Sequence, residues 1–206
     1  MQLLRLLIVP GLIGLGTLIA VHRPSLYSST GRDDNGARAA FIEAYKVFMY
    51  PRCMNCHPAG DSPLQGDDSR THFYRVRRGT DGNGVYSMKC TNCHQATNQP
   101  GLNMPPGASN LSKDDSANLT PRWRLPPTKT PMVFQGRTPS QLCSQLKDQT
   151  ENGGMTAEAL IRHISSDPLV LWGWDPGEGR SKPPLSHDKF VENIKAWLGK
   201  GGACPK

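Results

Sequence analysis

The sequence predicts a mainly α fold in which short helices enclose a long irregular middle. Three observations carry this. Apolar residues recur at helical spacing near residues 34–49 and again beyond residue 138, each time behind a start signal. The middle, from Cys53 to Pro131, has few periodic segments and many turn residues, including Gly79-Thr-Asp-Gly-Asn-Gly84 and Pro105-Pro-Gly107. Finally, only 36% of the 206 residues are hydrophobic, beside 18 prolines and 21 glycines, which is modest material for a side-chain core.

The chain opens on Met1-Gln-Leu-Leu-Arg5, followed by an uncharged, mostly apolar run from Leu6 to Val21. A short positive start before a hydrophobic centre has the shape of a secretory signal. The run is short and glycine-rich for a membrane span, which wants about 20 apolar residues. Leu18 and Ala20 supply only half of a small-residue cleavage pattern, so two readings stay open: a cleaved signal over residues 1–22, or an uncleaved anchor through residues 6–21. Both put the chain in the periplasm or at the cell exterior. Residues 23–37 read as a polar linker, and residues 38–206 as a single domain.

A first helix is expected from a cap near Asp34 to Met49, with Phe41, Ala44, Tyr45 and Phe48 on one face. Pro51 stops it just before Cys53. Thr138-Pro-Ser-Gln141 combines a hydroxyl cap, a first-turn proline and a capping-box glutamine. Thr156 and Ser186 are caps for two further helices. The last carries Phe190, Ile194, Trp197 and Leu198 on one face and ends at Gly199 and the Gly201-Gly202 pair.

The decisive pattern is Cys53-Met-Asn-Cys56-His57, repeated as Cys90-Thr-Asn-Cys93-His94. C-x-x-C-H is the attachment signature of c-type haem. Two cysteines at this spacing reach the two vinyl groups on one edge of the porphyrin, and the histidine that follows lies under the ring as an iron ligand. A structural zinc site is the first competitor. However, 33 residues (57–89) lie between the pairs, more than the usual ribbon loop of about 15–20, and zinc gives no reason for either histidine. A thioredoxin-like motif would need a βαβ context, and a disulfide within each pair again leaves both histidines unexplained. Two c-type haems are therefore expected. A rigid apolar cofactor also explains the irregular middle, which can wrap it, and the sparse core, which it can fill. The expected architecture is a compact dihaem cytochrome c domain with short helices and haem-wrapping loops, because 33 residues cannot hold a second haem domain.

Cys143 and Cys204 remain. In an exported protein an even remainder suggests one disulfide, with two buried unpaired thiols as the alternative. The sixth ligand of each iron decides between a saturated carrier and an open, reactive haem. His72 ranks first as a distal ligand, then Met132 and His163, then Met104 and Met88. His187 reads as a surface residue and His22 as part of the leader or linker.

Formal net charge is +7 and the pI about 9.2, which up to four haem propionates would reduce. Arg75, Arg77 and Arg78 beside Phe73 and Tyr74 form a short basic-aromatic run without a recognised nucleic-acid pattern, so no nucleic-acid partner is expected.

Several stretches resemble the small dihaem cytochromes labelled isoquinoline 1-oxidoreductase-associated. They are Arg52-Cys-Met-Asn-Cys-His-Pro-Ala-Gly-Asp61, Ser62-Pro-Leu-Gln-Gly-Asp67, Lys89-Cys-Thr-Asn-Cys-His-Gln95, Gln145-Leu-Lys-Asp148, Asn152-Gly-Gly154, Asp167-Pro-Leu-Val170 with Trp172-Gly-Trp174, and Gly202-Ala-Cys-Pro205. The similarity covers most of the chain after Arg38, and Gly107 to Leu119 looks like a polar insertion relative to that family. The resemblance implies a redox partner, such as an exported molybdenum hydroxylase that needs an electron acceptor. The expected function is electron transfer between a dehydrogenase and a downstream acceptor, either free or as the haem subunit of a larger complex. The alternative is a dihaem enzyme of the peroxidase or thiosulfate-dehydrogenase type with one open haem.

Overall fold

Asp33 starts the first helix, where its carboxylate accepts the Gly36 amide at 2.9 Å and so satisfies one of the donors a helix N-terminus leaves open. A computed structural model describes residues 31–108 and 123–206. The leader or anchor, most of the linker, and all of the 107–119 insertion after its first two residues lie outside the described residues. Helix α1 runs Asp34–Phe48 and claims residues 34–37, which the linker reading assigns elsewhere. The reason is tertiary. Lys200 bonds the Asp33 carboxylate at 2.8 Å, the Asp33 amide donates to the Lys200 carbonyl, and Ala37 is fully buried.

Pro51 does more than end α1. It occupies the first turn of a new four-residue helix, α2 (Pro51–Met54), which carries Cys53. The irregular middle holds two small antiparallel ribbons. Strand β1 (Leu64–Gln65) pairs with β2 (Arg70–Thr71) in the register Leu64↔Thr71. Strand β3 (Gly84–Val85) pairs with β4 (Met88–Lys89) in the register Gly84↔Lys89. Helices α3 (Pro139–Lys147), α4 (Ala157–Ser166), α5 (Pro168–Leu171) and α6 (His187–Gly199) complete the order. Thr138 forms the full capping box with Gln141, and Thr156 and Ser186 cap α4 and α6. The chain is mainly α, with few short strands.

The core lies where α1 crosses α6, closed by α3 and α4. Phe41 meets Trp197 at 4.8 Å between ring centroids, and Phe48 lies edge-on between Phe134 and Phe190. Cys143 and Cys204 form the expected disulfide, tying α3 to the C-terminal tail.

With so little apolar side chain in the middle, polar contacts carry its shape. Arg78, almost fully buried, donates to the carbonyls of Pro126 at 2.9 Å and Gly60 at 3.1 Å. It is an internal brace, which explains one basic residue of the 75–78 run without nucleic acid. Gly82, at φ +83°, lies against the Leu125 carbonyl so closely that an added Cβ would be 2.0 Å from that oxygen. The Leu125 amide returns a hydrogen bond to Gly82 at 2.9 Å, so residues 79–84 and 125–128 are stitched together.

Replacing both Cys143 and Cys204 with alanine should cost about 4 kcal/mol of unfolding free energy, because the bond closes a loop of 61 residues. Denaturant unfolding followed by circular dichroism checks this. A loss below about 1 kcal/mol would mean that α3 and the tail are already held by packing.

Candidate functional site

Each C-x-x-C-H motif folds as one tight turn. In the first, the Cys56 amide donates to Cys53 O at 3.1 Å and the His57 amide to Met54 O at 3.0 Å, which continues α2 past its end. In the second, the amides of Cys93 and His94 both donate to Cys90 O, at 3.2 and 3.0 Å. The first turn brings Cys53, Cys56 and His57 to the lining of one cavity.

The motif histidines are then locked in the same way. His57 Nδ1 lies 2.7 Å from the Met132 carbonyl, and its ring stacks on Phe134 at 3.9 Å with an interplanar angle of 11°. His94 Nδ1 lies 2.9 Å from the Pro106 carbonyl, and its ring stacks on Trp123 at 4.5 Å and 2°. A carbonyl can only accept, so Nδ1 carries the hydrogen and Nε2 presents its lone pair. The backbone closes the first clamp from the other direction, since the Phe134 amide donates to His57 O at 2.9 Å. Trp123 is backed edge-on by Trp172, whose Nε1 donates to Asn98 Oδ1 at 3.0 Å.

Burial pushes the His57 imidazole down to about 3 and the His94 imidazole to about 4, so both are neutral at physiological pH. Neutral imidazole is the form that ligates a metal. Burial also pushes the Cys53 thiol up to about 12 and the Cys56 thiol up to about 11, the latter raised further by Cys90. A disulfide-exchange motif would need a depressed thiol pKa instead. Among the described residues, no three His, Cys, Asp or Glu side chains converge on a metal-sized site.

A cavity of about 480 Å³ opens beside the first motif, lined by Cys53, Cys56, His57, Leu160 and His163 among others. That volume is typical of a cofactor site. Arg52 also lines it, and its Nε is buried without a hydrogen-bond partner. The far wall is organised by Asn152, buried at the turn between α3 and α4, which donates to the Leu146 and Met155 carbonyls and accepts the Met155 amide. An apolar cavity, two motif thiols and a bare imidazole nitrogen suit a covalently held haem.

The candidate distal residues separate clearly. His72 faces His94, with ring centroids 6.1 Å apart. His163 lies on α4 at the cavity wall, its Nδ1 3.2 Å from Asp167 Oδ2. Burial alone would raise the Asp167 carboxyl, but His163 and the Leu169 amide outweigh it and hold the group below the usual carboxylate range. Met132 meets His57 through its carbonyl, while its sulfur faces the Gln145 amide at 3.8 Å. Met104 is exposed, and Met88 lies in β4. His187 is not a plain surface residue: its Nε2 bonds the Ile164 carbonyl at 2.8 Å and its ring lies against Trp174. The clamping groups Phe134, Trp123, Met132 O and Pro106 O carry no sequence signal, because backbone carbonyls and lone aromatics form no motif.

No family model, no curated protein and no solved structure matches the chain. Among the described residues, no helix is long and apolar enough to cross a membrane.

The depressed histidines fix the sign of a pH effect. Unfolded imidazole binds its proton near 6.5, whereas His57 and His94 bind theirs only near 3 and 4. Between those limits the unfolded state holds more protons, so stability rises with pH. Unfolding free energy from urea titrations should fall as the pH is lowered from about 6.5 to about 5. A rise over that interval would contradict the buried, neutral state of both rings.

Proposed function

We propose that the chain is an exported dihaem c-type cytochrome that transfers electrons between a dehydrogenase and a downstream acceptor. What supports this most is the double construction: two C-x-x-C-H turns, each closed on an imidazole whose Nδ1 is bonded to a carbonyl, whose face is covered by an aromatic ring and whose Nε2 has no hydrogen-bond partner among the described residues.

Cys53 with Cys56, and Cys90 with Cys93, would hold the two haems. Each thiol would add across a vinyl group, with sulfur bonding one carbon and the thiol hydrogen going to the other, so no external oxidant would be consumed. When bound, each haem supplies an iron that gains or loses one electron. The rest belongs to the chain. Met132 O and Pro106 O draw on the Nδ1 hydrogens and make Nε2 more basic, while Phe134 and Trp123 stop the rings from rotating. The largely apolar cavity lining, which also carries Arg52 and Asp167, would limit water at a bound haem. Close spacing of the motifs favours fast transfer between the haems. The resemblance to isoquinoline 1-oxidoreductase-associated cytochromes suggests a molybdenum hydroxylase or similar dehydrogenase as the donor, and the apolar leader suggests delivery to the periplasm or cell exterior.

Reductive titration of the purified protein should take up two electrons per chain reversibly, with a visible spectrum that carbon monoxide leaves unchanged. A high-spin haem that binds carbon monoxide would overturn the carrier reading in favour of a dihaem enzyme.

A further inference from the structure

We infer that both irons are bis-histidine, with His163 opposite His57 and His72 opposite His94. The inference rests on the dihaem reading and deepens it by giving each ring its own second ligand.

The second pair is the more directly measured. The His72 and His94 rings stand 6.1 Å apart and tilted by 54°, too far for ring contact. Two metal–imidazole bonds of about 2 Å each, plus the distance from each nitrogen to its ring centre, come to about 6 Å. The spacing therefore matches one metal ion shared between two Nε2 atoms. His72 is prepared for it, because its Nδ1 donates to the Phe73 carbonyl at 2.6 Å and its amide donates to Pro63 O at 3.0 Å. Directly after it, Tyr74 and Arg75 both adopt positive φ (62° and 47°), a conformation non-glycine residues rarely take. A strained turn that fixes one side chain is what a ligand loop requires.

For the first pair, His57, just beyond α2, and His163, on α4, line the same cavity. His163 directs Nδ1 at Asp167, which also accepts the Leu169 amide at 2.8 Å, so the carboxylate is itself held in place. A histidine backed by an oriented carboxylate is the usual outer arrangement of a metal-bound imidazole. The rivals are otherwise engaged. Met132 braces His57 by its carbonyl and so sits at the Nδ1 end, away from the bare nitrogen. His187 has spent Nε2 on Ile164 O, and the Met104 side chain is exposed. Met155 lines the cavity and is the remaining competitor there.

The test uses the full chain matured with both haems. Near-infrared magnetic circular dichroism of the ferric wild type should show bis-histidine signatures only; a histidine–methionine band would overturn the assignment without any variant. His163→Gly and His72→Gly should each give one high-spin haem of the two, able to bind carbon monoxide and restored by added imidazole. His163→Met and His72→Met should each convert one haem to histidine–methionine with a raised potential. Asp167→Asn should raise the potential of one haem and leave the other in place. Met155→Leu and Met132→Leu should keep both irons six-coordinate. If the glycine variants leave both haems six-coordinate, or if Met155→Leu opens one, the assignment fails while the dihaem reading stands. If no haem is attached to the wild type, the reading itself fails.

Discussion

The hydrogen bond from a motif histidine to a backbone carbonyl is the constraint on which this molecule depends. It is made twice, to Met132 and to Pro106, and each time a flat aromatic ring closes the other side of the imidazole. To deliver those two carbonyls, the chain must return to each C-x-x-C-H turn from a distant stretch. The return past His57 fixes residues 132–135, and the return past His94 fixes residues 98–107. Much of the irregular backbone can be understood as the route between these points. Its cohesion comes from carbonyl-seeking side chains such as Arg78 and Asn152, not from buried hydrocarbon.

The helical frame does a different job. Helices α1 and α6 bury Phe41, Phe48, Phe190 and Trp197 against each other and would do so with or without a cofactor. The disulfide adds the C-terminal tail to that frame. The cavity lies at its edge, between α2 and α4, so one wall is rigid helix and the other is loop. Such a division suits an electron carrier, in which the ligands must hardly move between oxidation states. It also places His163 on a regular element and His72 on a strained turn, and the two sites differ accordingly.

Much of this was legible in the sequence, for reasons that can be named. Caps at Thr138, Thr156 and Ser186 are local chemistry, and all three hold. The pairing of Cys143 with Cys204 followed from counting cysteines. The start of α1 was harder, because residues 34–37 look polar along the chain and are recruited by Lys200, which is far away in sequence. The histidine clamps were beyond reach for the same reason. Phe134 and Trp123 become meaningful only when the fold lays them on His57 and His94. The bracing role of Arg78 is hidden in the basic run 75–78, because three carbonyls that come together only in three dimensions cannot be read from a line of letters.

Peptide mapping of the mature protein by mass spectrometry decides whether the two cysteine pairs are haem attachment sites. The prediction is two modified peptides, one carrying a haem on Cys53 and Cys56 and the other a haem on Cys90 and Cys93, beside a disulfide-linked peptide pair containing Cys143 and Cys204. Recovery of either C-x-x-C peptide with an internal disulfide, or with two unmodified thiols, after expression with the cytochrome c maturation machinery would contradict it.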